Sequence, residues 1–153
     1  MNSYLAIKTL HILTSTVLFG TGLGIAFFFC SHRKADPAAA YFAARMTVLA
    51  DFIFTLPAVI LQPLTGFWLI EHSGFRWTES WLLATYVIYL IAGLCWVPVV
   101  LIQIKLKSIF RNRLETNAPL PESYAILFRW WFLLGWPAFI GLIAVFGLMV
   151  AKP

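Results

Sequence analysis

The sequence predicts an all-α polytopic membrane protein, an antiparallel bundle of four transmembrane helices, and three observations lead there. Of the 153 residues 61% are hydrophobic and 17% aromatic, against only 11 Lys and Arg and 6 Asp and Glu. Four apolar runs each reach the roughly 20 residues that carry a helix across about 30 Å of hydrocarbon. The connections between the runs are too short to fold alone, so residues 1–153 read as a single four-helix domain.

The first helix is expected over residues 4–30. It is too long for the apolar core of a signal peptide and is followed at once by His32-Arg33-Lys34, so it reads as retained. A cationic loop from Ser31 to Asp36, then Pro37, leads to a second helix over 40–70, which the turn Glu71-His72-Ser73-Gly74 ends. The third spans 79–104, with Lys105, Lys107, Arg111 and Arg113 after it, and the fourth spans 123–150 beyond Pro119 and Pro121. Pro57, Pro63, Pro98 and Pro137 fall inside the helices, where each frees a carbonyl that a neighbour must satisfy.

Arg33, Lys34, Lys105, Lys107, Arg111 and Arg113 lie in the first and third connections and Arg76 in the second, which places the first and third in the cytoplasm and both termini outside. Tyr4, Trp68, Trp77 and Trp81 then form an outer aromatic belt, and Tyr41, Tyr124, Trp130 and Trp131 an inner one. The net charge of +5 is accounted for by these flanks and speaks against a nucleic-acid partner. Cys30 and Cys95 have no metal-ligand spacing and read as packing thiols.

Helical phase collects the polar and small residues of each run on one stripe. These stripes are Lys8, His11, Ser15, Leu18 and Gly22; Asp51, Thr55, Ala58, Gln62 and Gly66; Tyr86, Tyr89, Gly93, Trp96 and Gln103; and Arg129, Trp136, Ile140, Ile143 and Gly147. Lipid solvates no polar group, so the stripes are expected to meet in the interior. Depth groups His11, Gln62, Tyr86 and Tyr89 in the outer half and makes Asp51 and Arg129 natural partners in the inner half. That pair reads either as an ion pair locking the second helix to the fourth or as a relay carboxylate with its counter-ion.

His11 is the sharpest feature. A neutral imidazole in a bundle interior suits an axial position on haem b iron. Gly22 would admit a flat macrocycle, Tyr86, Tyr89 and Trp96 would stack on it, and Lys8 would meet a propionate; a five-coordinate haem, a sixth ligand from Met149 or His72, and a site shared between protomers are the options. The alternative is a core histidine hydrogen-bonded to Gln62 or a tyrosine. Thr16, Gly20 and Gly24 have the spacing of a close helix contact, within the bundle or across a homodimer.

Lys8-Thr-Leu-His11-Ile-Leu, Phe19-Gly-Thr-Gly-Leu-Gly24, Asp51-Phe-Ile-Phe-Thr55, Gln62-Pro-Leu-Thr-Gly66, Trp96-Val-Pro-Val, Arg129-Trp-Trp-Phe and Leu148-Met-Val-Ala-Lys-Pro153 together resemble the bacterial integral membrane family called domain of unknown function 2269. That resemblance implies the bacterial inner membrane. The opening Lys-x-Leu-His-Ile is also similar to the first helix of HemJ-type protoporphyrinogen oxidases and, more loosely, of CopD-like membrane proteins. The HemJ likeness implies a haem b ligand role for His11, although residues 86–103 lack the embedded basic residue of those oxidases. Two functions follow as expectations: a haem- or porphyrin-binding protein of membrane redox or tetrapyrrole chemistry, or a tetraspan assembly or transport component.

Overall fold

The computed structural model describes residues 2–31 and 36–153. His32, Arg33 and Lys34, which carry part of the orientation argument, lie outside the described residues. The elements are α1 (Ser3–Ser31), α2 (Pro37–Ala50), a π-helical turn (Asp51–Thr55), α3 (Leu56–Ser73), α4 (Ser80–Thr116) and α5 (Ser123–Ala151). With α2, the π turn and α3 forming one continuous span, four helices are long and apolar enough to cross a membrane.

The second span starts at Pro37 rather than residue 40. Asp36 caps it, its carboxylate accepting from Ala38 N at 2.9 Å and Ala39 N at 3.0 Å, and Pro37 occupies the first turn, where a missing N–H is harmless. The third span runs to Thr116 rather than 104 because its basic tail stays helical. Arg111 and Glu115 pair one turn apart at 2.8 Å, and Asn117 closes the helix in the left-handed conformation, φ 55°. At about 1.5 Å per residue these 37 residues make a helix far longer than the hydrocarbon is thick, so its basic end stands clear of it.

α4 packs along α5 and against α2, and α1 packs against α3, while α1 meets α5 only slightly. One apolar cluster gathers Phe29, Ala40, Ala44, Leu106, Phe110, Phe128 and Trp131 near the basic ends of the helices; a smaller one joins Ile70, Trp81 and Leu82 at the other end, with Met149 against it. Trp81 and Trp131 are therefore core residues and not belt residues, whereas Trp77 and Trp130 are exposed as a belt requires.

The stripe expected on the fourth helix is corrected. Arg129, Ile140, Ile143 and Gly147 are exposed, Trp136 is half-exposed at a cavity between the spans, and the packed face carries Phe128 and Trp131. Phase chosen by polarity misleads here because a long arginine stem near a helix end extends outward to water while its neighbours supply the apolar face.

Candidate functional site

Asp51 opens the π turn. The Leu56 N–H reaches back five residues to the Asp51 carbonyl, just ahead of Pro57, which has no N–H to offer Ile53 and whose ring would crowd that carbonyl in a regular ladder. The turn leaves Asp51 3% exposed. Its Oδ1 accepts from Trp96 Nε1 at 3.2 Å. The one orientation of the Gln103 amide that suits both its neighbours donates to Asp51 Oδ2 and accepts from Trp131 Nε1 at 3.1 Å. The Trp96 indole and the Gln103 amide thus donate to the carboxylate, and the Trp131 indole fixes that amide from α5, linking the π turn, α4 and α5.

Among the described residues no cation pairs with the carboxylate. Among the described residues the ion pair found is Arg111–Glu115, and Arg129 is exposed, so the expected Asp51–Arg129 pair is not formed. An arginine close to a helix end reaches water at lower cost than it could be desolvated beside a carboxylate.

Asp51 lies on the wall of a central cavity of about 340 Å³, bounded by all four spans and partly open. Gly22, Cys30, Thr55, Tyr89, Gly93, Trp96, Gln103, Trp131 and Trp136 share that wall, which is otherwise apolar. Thr55, 5% exposed, stands beside the Asp51 carboxylate, yet its hydroxyl makes no hydrogen bond of proper geometry. The Tyr89 hydroxyl donates to the Val59 carbonyl at 2.6 Å, the acceptor that Pro63 leaves without its helical donor.

A second polar cluster joins α1 to α3. His11 Nδ1 lies 2.7 Å from Thr65 Oγ1, while Gln62 Nε2 donates to the His11 carbonyl at 2.8 Å and to Thr14 Oγ1 at 2.5 Å. Thr65 has a single hydroxyl proton and gives it to the Leu61 carbonyl at 2.6 Å, so toward His11 it accepts. In the neutral imidazole Nδ1 therefore carries the hydrogen and Nε2 the lone pair. The ring lies over Gly66, where an added Cβ would come 3.4 Å from Cε1.

The sequence-derived set is thereby divided. Gly22, Tyr89 and Trp96 line the central cavity with Asp51, whereas His11 and Gln62 form the α1–α3 cluster and do not line it. Tyr86 packs edge-on against Phe67 with its hydroxyl buried and unpartnered, and Lys8 is exposed. His72 is exposed and stacks on Trp68 with centroids 3.8 Å apart, and Met149 packs against the Ile70–Trp81–Leu82 cluster. Thr14, Thr65 and the Gln103–Trp131 link were missed as site features. Their signal was available: Thr14 follows His11 by one turn and Thr65 follows Gln62 by one turn, each on an already polar face.

As a haem site the donors fit only in part. His11 has the arrangement of a ligating imidazole, with one nitrogen fixed by an acceptor and the other free to bind. The groups meant to surround the macrocycle, Gly22, Tyr89 and Trp96, face the other site. Among the described residues no group of three or more His, Cys, Asp and Glu side chains is placed to hold a metal ion.

No curated protein and no solved structure matches the chain significantly. A family model does, over residues 5–153, and the chain accordingly belongs to DUF2269, described as a predicted integral membrane protein.

Proposed function

We propose that this integral membrane protein binds an apolar molecule in the cavity between its four spans, as a membrane-embedded binding component of transport type, with Asp51 as the polar group that reads the ligand. The observation that carries this is the position of a buried, hydrogen-bonded carboxylate on the wall of an otherwise apolar cavity. Volume supports it too. At about 340 Å³ and partly open, the cavity has both the room for an apolar molecule and a way in. Native mass spectrometry of the full chain released from detergent micelles tests the reading. The wild type should retain a co-purified apolar species that Gly93→Phe and Gly135→Phe, which place bulk on the cavity wall, both exclude. Equal retention by folded wild type and variants would overturn it.

The distribution of lysine and arginine supports a bacterial inner-membrane location with both termini periplasmic. A homodimer through Thr16, Gly20 and Gly24 is supported by the space beside them: a Cβ added at either glycine would meet nothing within 4 Å.

A second reading retains haem b on His11, in membrane redox or tetrapyrrole chemistry. It rests on the fixed Nδ1–H tautomer, which leaves Nε2 free to ligate. A Soret band in protein from haem-replete cells, lost in His11→Ala, would support it; a colourless preparation rejects it.

A further inference from the structure

We propose that the molecule taken by the central cavity is a lipophilic organic cation, bound by charge pairing to Asp51 and by cation–π contact with the tryptophans around it. The inference rests on the cavity being a ligand site and specifies the ligand.

The first argument is charge. A buried carboxyl group is paired with a charge, coordinates a metal or holds a proton, because an isolated ionised group costs several kcal/mol even after the protein relaxes around it; a cationic ligand can take the place of that proton. Asp51 receives N–H groups from Trp96 and Gln103 but among the described residues makes no ion pair, and the expected counter-ion, Arg129, is exposed. A cationic ligand supplies the missing charge, and an anionic one is repelled.

The second argument is the wall. Trp96, Trp131, Trp136, Phe19, Phe132 and Phe139 all line the same cavity, and aromatic faces, tryptophan most of all, attract cations. A small inorganic cation does not match this site. Mg²⁺ and Ca²⁺ demand six or more oxygen ligands, whereas the polar oxygens on this wall are few and both Asp51 oxygens already accept hydrogen bonds. What matches is a charge spread over, or shielded by, hydrocarbon.

The test compares methyltriphenylphosphonium with its uncharged relative triphenylphosphine, by equilibrium dialysis against the full chain at fixed detergent concentration. The proposal expects saturable binding of the cation to wild type at least tenfold tighter than of the neutral compound. Asp51→Asn should lose that preference and Asp51→Glu should keep most of it. If wild type binds both compounds equally, or folded Asp51→Asn keeps the preference, the cation inference falls while the cavity reading stands. If neither compound binds saturably, both fall. Should Asp51→Asn fail to fold, the wild-type preference between the two probes decides alone.

Discussion

Gln103 is the residue whose removal most directly examines the Asp51 arrangement. It is 1% exposed, and its amide joins Trp131 on α5 to the carboxylate on the π turn. Gln103→Met keeps an unbranched chain of similar length and deletes both hydrogen bonds at once. In water-soluble proteins a bond to a charged group is worth about 1.5–3 kcal/mol and a neutral one about 1 kcal/mol. Inside a bilayer the unfolded helices also find partners, and measured couplings average about 0.6 kcal/mol with a maximum near 1.7 kcal/mol. The bilayer figures are the relevant ones, so we expect Gln103→Met to lose about 2 kcal/mol, more than two average bonds because one acceptor is a carboxylate. Reversible unfolding in mixed detergent and dodecyl sulfate micelles reads this. A double-mutant cycle with Asp51→Asn should show coupling of about 1 kcal/mol. A loss under 0.5 kcal/mol, or strict additivity of the two changes, would refute the hydrogen-bonded chain.

Arg129→Gln separates the observed arrangement from the expected ion pair. Breaking a buried pair costs about 3–5 kcal/mol, whereas an exposed residue without such a partner should cost under about 0.5 kcal/mol, and the same unfolding assay distinguishes these. Gly141→Ala would bring its Cβ to 2.9 Å from Ile88 Cγ2 where α4 and α5 pack, so we expect a loss of about 1–3 kcal/mol that Ile88→Ala in the same chain partly restores. Thr65→Val removes the acceptor of the His11 Nδ1–H. Nitrogen NMR of the labelled imidazole should show one neutral tautomer in the wild type and a mixture in the variant.

Much of the fold was legible because the bilayer imposes few solutions: long apolar runs must be helices, and basic flanks mark one side. The second helix was also legible in phase, since Asp51, Thr55, Ala58 and Gln62 are all buried as their shared stripe requires. The fourth was not. Its one charged residue lies near a helix end, where reaching outward is cheaper than facing inward, so polarity pointed away from the packed face. The π turn was hidden because nothing in the residue types encodes a five-residue step; Pro57 announces only that the ladder must give way somewhere before it. The contents of the two sites followed the same logic. Which residues of a helix share a site, and which helix meets which at a given depth, depended on tertiary packing that periodicity does not carry: His11 and Gly22 share a stripe but not a site.

The two polar clusters act as separate clasps, and their separation explains the cavity. His11, Thr14, Gln62 and Thr65 bind α1 to α3, while Asp51, Trp96, Gln103 and Trp131 bind the π turn to α4 and α5. Between apolar helices in lipid no hydrophobic force remains to close the rest of the bundle, since acyl chains solvate leucine as well as another helix does. Helices fastened by two polar clasps can therefore leave space where neither reaches; there α1 and α5 meet through aromatic rings, Phe19 lying on Phe139 with centroids 5.2 Å apart. The clasps share no residue and no hydrogen bond, so the destabilisation of Gln103→Met and that of Thr65→Val should add to within about 0.5 kcal/mol. A larger coupling would mean that the clasps communicate through the cavity wall.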